Sequence, residues 1–168
     1  MNIFKLHRGY RGVGINFGLP VFYVDCGPGV GYDPVEVIKK LGHIGLGVGA
    51  WVVIRNNPLE EKGIGILVEG LKYVRVKVEV ECSGSSRCPG WFPKVDRWMV
   101  DWVEGGIFNY GSLRNRQDML IYKGSRVEDF IEKTEDLQAL RVVIAEDIYK
   151  VWDLVKDHDI RVYGPEGG

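Results

Sequence analysis

Charged and polar side chains follow the predicted strands of this 168-residue chain at the points where those strands end. In parallel α/β folds the carboxyl ends of the strands meet at one edge of the sheet, where ligands bind. We therefore take seven residues as candidate ligand-binding residues: Cys26, Arg55, Asn56, Glu81, Ser83, Asp101 and Lys123. Arg55 and Lys123 can hold an anion, and Glu81 can hold a ribose or an amine. The alternative is that these charges only pair with one another, and the sequence identifies no catalytic residue.

The three cysteines predict neither a disulfide framework nor a metal site. Cys26, Cys82 and Cys88 include no C-x-x-C pair. As a nucleophile Cys26 would need a base, but no histidine lies near it in the sequence, and a cysteine at a strand end is typical of a small buried hydrophobic residue. The glycine-rich stretch 42–49 precedes a strand instead of following one, so it does not fit a dinucleotide-binding loop.

An aromatic loop suggests a second kind of interaction. Trp91, Phe92 and Trp98, with Trp102 beyond them, are interleaved with Lys94 and Arg97. Such side chains can stack on bases or form an oligomer contact, but packing in the core is the favoured interpretation. The chain has 22 basic and 23 acidic residues and a net charge of −1, which does not favour nucleic-acid binding through bulk charge.

The elements that would position these residues alternate between strands and helices. Short apolar or alternating runs predict strands at 21–24, 51–54, 74–81, 98–103, 119–122, 141–145 and 160–163. Helices are predicted from Asp33-Pro34 onward, at 59–71, at 125–133 with Ser125 and Glu128 as a capping box, and at 146–158. In the strand 74–81 the valines would face one side, and Glu79 would lie on the other side with the charged residues. This order predicts an α/β fold with a parallel sheet.

Composition and length place further bounds on the protein. A chain of this size predicts a single α/β domain over residues 1–168. It contains no apolar run of 18 residues and no signal-peptide pattern, so we expect no membrane segment and a cytoplasmic protein. Few glutamines and many charged residues are typical of a thermophile.

Several segments together resemble the 7-carboxy-7-deazaguanine synthases, which belong to the radical S-adenosylmethionine superfamily. The segment 12–26, GVGINFGLPVFYVDC, is similar to the opening of that family, and Gly12, Gly14, Gly18, Pro20, Phe22, Val24 and Cys26 match its pattern. The strand at 51–54, the VEVECSG stretch, WFPKVDRW and the tail from Arg141 to Pro165 continue the likeness in order. The resemblance implies an incomplete parallel (β/α) barrel of about six strands and a homodimer.

The chain departs from this family at the residues that carry its chemistry. Such a [4Fe–4S] cluster needs three cysteines in a C-x-x-x-C-x-x-C loop, and only Cys26 is present here. The family's GGEP is replaced by Arg55-Asn56-Asn57-Pro58, where asparagine side chains are expected to close the backbone approach that glycine allows. The expected S-x-K element is also missing near Asp101. We therefore expect no iron–sulfur cluster, no S-adenosylmethionine binding and no radical chemistry.

The resulting hypothesis is a catalytically degenerate relative of this family that acts as a binding or interaction scaffold, with a second copy or another protein as its partner. An alternative is an enzyme without radical chemistry, or a small-molecule binder, that reuses the strand-end pocket through Arg55, Glu81 and Asp101. A third hypothesis is nucleic-acid binding through the loop Arg87–Trp98. Fold alone does not decide among them.

Overall fold

The computed structural model of the chain describes residues 1–9 and 20–165. Within them lie eight strands and four helices, so the structure is of the mixed α/β kind that the alternation predicted. The described residues divide into two compact units. The first comprises the residues up to Cys82 together with Cys88–Arg97, and the second comprises Ser83–Arg87 and the residues from Trp98 onward.

The first unit contains four strands and two helices. The strands are β1 (Asn2–Gly9), β2 (Val21–Gly31), β3 (Trp51–Arg55) and β4 (Lys77–Ser83), and the helices are α1 (Pro34–His43) and α2 (Ile64–Tyr73). The strand order is β1-β2-β3-β4, with β1 antiparallel to β2 and the other pairs parallel. The register sets Asp25 opposite Arg55, the last residue of β3, and β2 continues beyond this pair to Gly31.

The second unit repeats the parallel arrangement. Its strands are β5 (Arg97–Asp101), β6 (Met119–Tyr122), β7 (Leu140–Ile144) and β8 (Ile160–Tyr163), and its helices are α3 (Val127–Thr134) and α4 (Ile148–Val155). The order is β5-β6-β7-β8, and every pair is parallel. One face carries an apolar cluster of Met99, Met119, Ile121, Leu140 and Val142.

The structure refines the expected architecture. About six strands were predicted, whereas the described residues contain eight, and seven of the eight are parallel to a neighbour. Neither unit closes on itself, because the first and last strands of each do not pair among the described residues. None of the helices in those residues is long and apolar enough to cross a membrane. Gly12, Gly14 and Gly18, on which part of the family resemblance depends, lie outside the described ranges.

The amino-terminal ends of two helices show that the local sequence predicted one helix cap correctly and one incorrectly. Asp33 caps α1, since its carboxylate accepts a hydrogen bond from the backbone nitrogen of Glu36 at 2.9 Å, as predicted. The capping box predicted for the third helix is wrong. That helix begins after Arg126, which makes no side-chain cap, and the Arg126 nitrogen instead donates to the Tyr122 hydroxyl at 2.8 Å.

Two strand predictions were wrong for reasons of tertiary structure. The segment Asn2–Gly9 was not predicted as a strand because its apolar and polar residues do not alternate cleanly; pairing with β2 makes it one. Strand β4 begins at Lys77 and not at Val74, because α2 runs to Tyr73 and Arg75 takes a left-handed φ of 61° in the following turn. Glu79, expected among exposed charges, is completely buried.

Candidate functional site

The seven candidate residues fall in both units, and each unit is described separately. Cys26, Arg55, Asn56 and Glu81 belong to the first unit, and Ser83, Asp101 and Lys123 belong to the second. Arg55 ends β3 and Asn56 follows it, as the strand-end argument predicted. That prediction was wrong for Cys26, which lies within β2 because this strand continues to Gly31, and for Glu81, which lies within β4.

A strand-end cluster of four side chains forms in the first unit: His7, Tyr23, Asp25 and Arg55. Arg55 Nε donates to Asp25 Oδ1 at 2.5 Å, and His7 Nε2 lies 3.0 Å from Asp25 Oδ2. The Arg55 guanidinium lies 4.1 Å from the centre of the Tyr23 ring, on which His7 also stacks at 4.9 Å between ring centres. The cluster therefore holds the guanidinium by a carboxylate on its edge and an aromatic ring against its face.

Charge stabilises the ionised carboxylate at the centre of this cluster. Burial of Asp25 disfavours its charged form, but hydrogen bonds from Arg55 and His7, together with their charges, outweigh burial and lower the pKa of Asp25 below its ordinary 3.8. The Asp25 side chain is only 7% exposed, whereas His7 and Arg55 are 26% and 32% exposed. Asp25 thus lies beneath two side chains that solvent and ligands can reach.

Arg55 retains a donor for a ligand. Its Nε and Nη2 atoms are directed at Asp25 and His7, with Nη2 3.4 Å from His7 Nε2. Among the residues that the structure describes, Nη1 has no hydrogen-bond partner. A guanidinium that is held on one edge and open on another is suited to binding a carboxylate or a phosphate oxygen.

The turn directly after Arg55 has an uncommon backbone. Asn56 and Asn57 have φ angles of 65° and 57°, the left-handed region that asparagine tolerates better than most residues. Asn56 and Asn57 therefore have a backbone conformation that glycine favours, and they add their side chains next to Arg55. Two adjacent residues of this kind are costly to hold and cluster at functional sites.

Cys26 lies next to this cluster in sequence but is shielded from it. Its side chain is buried, and burial, with smaller contributions from Glu61 and Asp25, raises the pKa of its thiol to about 12. The thiol is therefore protonated at neutral pH and packs as a hydrophobic group.

The iron–sulfur cluster implied by the family resemblance does not fit these residues. Such a cluster needs three thiolates on one loop. Here Cys26 lies within β2, which continues as a strand to Gly31 before α1 begins at Pro34. No group of three or more His, Cys, Asp or Glu in the described ranges is arranged to hold a metal ion.

The candidate residues of the second unit do not form a cluster comparable to the strand-end cluster. Ser83 forms a hydrogen bond with the Ser85 hydroxyl at 2.8 Å. Burial raises the pKa of Asp101, and the charge of Lys123 opposes that increase only in part. Lys123 itself is exposed. Asp101 and Lys123 provide a partly buried carboxyl group and a nearby cation, and within the described ranges neither side chain has directed hydrogen bonds like those around Asp25.

The aromatic loop is used mainly for packing. In the first unit Arg97 lies 4.3 Å from the centre of the Trp51 ring, and Lys94 pairs with Glu69. In the second unit Trp98 is completely buried against Phe108. Trp102 there packs edge-on against Tyr122 and Phe130. Trp98 and Trp102 are thus packed within the second unit, as the favoured interpretation predicted for the aromatic loop.

Sequence reasoning missed His7 and Tyr23. Histidines were considered only as a base for Cys26, and none lies near it in the chain; the antiparallel pairing of β1 with β2 brings His7 to Asp25. Tyr23 was counted only as part of an apolar strand. Strand alternation offered a signal for it, since Tyr23 and Asp25 are two residues apart and share a face.

The lowered pKa of Asp25 predicts a specific acid dependence. Because the folded pKa lies below the unfolded value of 3.8, the ionised carboxylate stabilises the fold fully above that value and loses this contribution as pH falls through the lowered pKa. At pH 7 we expect Asp25→Asn to reduce the free energy of unfolding by about 1–3 kcal/mol. Urea unfolding between pH 7 and pH 2.5 should show the gap between wild type and variant narrowing only below pH 4. A gap that does not change with pH would contradict this assignment.

Three comparisons of the chain with known proteins found no match. No protein-family model matches the chain, and no curated protein and no solved structure matches it either.

Proposed function

We propose that this protein binds a small anionic molecule at the strand-end cluster. The observation that carries the proposal is the position of Arg55, whose guanidinium is held by Asp25 and Tyr23 while about a third of its side chain remains exposed. A side chain fixed in this way loses little conformational freedom when a ligand binds. Arg55 lies at the carboxyl end of β3, beside Asp25 of β2, and the carboxyl ends of parallel strands are where such sheets place their ligands.

The chemistry of the cluster favours an anion with one carboxylate or phosphate group. Asp25 already neutralises one positive charge of the cluster. Little positive charge therefore remains to balance a ligand that carries several negative charges. Glu81 adds a negative charge that acts on Arg55. We infer a ligand of low charge whose acidic group is bound by Arg55 Nη1 and by the side chains of the adjoining turn at Asn56 and Asn57.

The proposal keeps the homodimer that the family resemblance implies, but it does not include the radical chemistry of that family. We propose a cytoplasmic homodimer from a thermophile that is descended from a deazaguanine synthase and acts as a binding protein. Use of the site for catalysis would start from the same binding step. His7, hydrogen-bonded to Asp25, has the arrangement of a general base, and Arg55 would hold the anionic group of the substrate.

Replacement of Arg55 tests the binding function directly. Isothermal titration calorimetry should be run with acetate, lactate, citrate, inorganic phosphate, adenosine monophosphate and S-adenosylmethionine. We expect wild type to bind at least one singly charged anion, and Arg55→Ala to weaken that binding by roughly tenfold to a hundredfold, the value of a charged hydrogen bond. Arg55→Lys should recover only part of the affinity, because lysine lacks the fixed planar group.

The matched control is Arg75→Ala, which removes an exposed arginine before the amino end of β4. It should leave anion affinity unchanged. Affinity for none of the anions, or equal affinity in wild type and Arg55→Ala, would overturn the proposal. Preferred binding of S-adenosylmethionine would overturn the proposal as well, because it would indicate that the site binds the cofactor of the resembled family.

A further inference from the structure

A second surface of the first unit combines exposed apolar and basic side chains. The edge groove, of about 380 Å³, lies between β1 and the carboxyl-terminal end of α1, and its walls include Phe4, Lys5, Val30, Lys40, His43 and Ile44. Phe4 is 67% exposed and Val30 is 59% exposed. Large apolar side chains this exposed on adjacent strands are unusual on a surface that has no partner.

The charge of the edge groove has one sign. Lys5, Lys40 and His43 contribute basic groups, and no carboxylate is among the described residues that line it. The Lys40 ammonium lies 5.2 Å from the centre of the Tyr32 ring, which holds one of these cations at the groove wall. An occupant of the groove should therefore be acidic as well as apolar.

The backbone of β1 adds directional hydrogen bonding to this surface. Among the residues that the structure describes, β1 is the outermost strand of the first unit and pairs only with β2. In an antiparallel pair, alternate residues of the outer strand direct their N–H and C=O groups away from the partner. An extended peptide can form hydrogen bonds with these backbone groups by adding to β1 as a further strand.

The same charges disfavour a second copy of this chain as the added strand. Antiparallel pairing of β1 with β1 of another copy, in the register that sets Lys5 opposite Arg8 of that copy, would place like charges across the strand pair, which is destabilising. Basic residues on an edge strand are a common protection against self-pairing. An acidic strand from another protein meets no such repulsion.

We propose that the edge groove binds an extended acidic segment of a partner protein as an added strand on β1. Acidic residues of that segment pair with Lys5 and Lys40, and alternate apolar residues pack against Phe4 and Val30. This site is separate from the strand-end cluster, and the proposal does not depend on the anion-binding function.

The test uses the full-length protein and fluorescein-labelled peptides in an anisotropy titration. The probe is an eight-residue peptide of alternating glutamate and valine; one control has lysine for glutamate and another has alternate residues replaced by proline. We expect only the first peptide to bind. The double variant Lys5→Glu/Lys40→Glu should weaken that binding by roughly tenfold or more, and Phe4→Ala should weaken it as well.

Lys39→Glu is the matched control, because Lys39 is an exposed neighbour of Lys40 on α1 that does not line the groove. It should retain full affinity, and far-UV circular dichroism should show all variants folded. Equal binding of the lysine or proline peptide would overturn the proposal, as would equal loss in Lys39→Glu. Binding of anionic phospholipid vesicles without peptide binding would instead identify a membrane surface. A dimer in sedimentation that Phe4→Ala dissociates would identify self-association, and either result also overturns the proposal.

Discussion

Asp118→Ala is expected to lower the free energy of unfolding by about 3–5 kcal/mol, because it removes a buried carboxylate that pairs with the partly exposed Arg114 and accepts two backbone hydrogen bonds. The Asp118 side chain is completely buried directly before β6, where Oδ1 accepts from the backbone nitrogen of Trp98 at 2.8 Å. Arg114 donates its backbone nitrogen at 2.7 Å, Nε at 3.1 Å and Nη2 at 3.1 Å. Alanine would leave all four donors without their acceptor.

Urea unfolding followed by circular dichroism measures this effect. Asp118→Asn keeps one acceptor oxygen, for the backbone nitrogen of Trp98 or of Arg114 but not for both, and removes the charge, so we expect a smaller loss of about 1.5–3 kcal/mol. This variant keeps the prediction testable if the alanine variant does not fold. Asp157→Ala, at an exposed position in the same unit, should stay within about 0.5 kcal/mol of wild type. A loss below about 1 kcal/mol for Asp118→Ala would show that water replaces the carboxylate.

A buried ion pair in the first unit supports a second large effect. Arg97 Nη1 donates to Glu79 Oε1 at 3.2 Å, and both side chains are at least nine-tenths buried. The Arg97 guanidinium also lies over the Trp51 ring. Because removal of Glu79 would leave a buried cation without its carboxylate, we expect Glu79→Leu to cost about 3–5 kcal/mol.

The double variant separates pairing from packing. Replacing a buried ion pair with apolar residues of similar volume is often neutral, so Glu79→Leu/Arg97→Leu should be more stable than either single variant. A double-mutant cycle by urea unfolding should show a coupling of about 2–3 kcal/mol. Glu69→Gln, which disrupts an exposed pair with Lys94, is the control and should change stability little. Simple addition of the two single effects would show that the two side chains act independently.

The strand-end cluster shows which contacts the local sequence could predict and which it could not. Asp25 and Arg55 each follow a short apolar run, at 21–24 and 51–54, and the parallel register sets them opposite one another, so their proximity could be predicted although β2 itself continues to Gly31. His7 could not be placed there. Its strand is antiparallel, at the outside of the unit, and mixed in polarity, so its position depends on backbone pairing with β2.

The two buried carboxylates show a different limit. Glu79 lies in a strand that alternates valine with charged residues, which is the pattern of a sheet with one face in water. Its burial depends on Arg97, 18 residues farther along the chain. Asp118 is bound by Trp98, 20 residues before it. No local pattern marks a charge that a distant side chain or backbone group will compensate.

The sequence by itself determined the α/β class, the positions of most strands, the cap of α1 and the residue types at the strand ends. These depend on periodicity and on interactions between residues close in the chain, which a local pattern contains. Only the tertiary structure decided that β1 pairs along β2, that His7 and Tyr23 hold Arg55 with Asp25, and that Glu79 and Asp118 are buried. These features depend on contacts between distant residues, whose free energy exists only once the chain has brought them together.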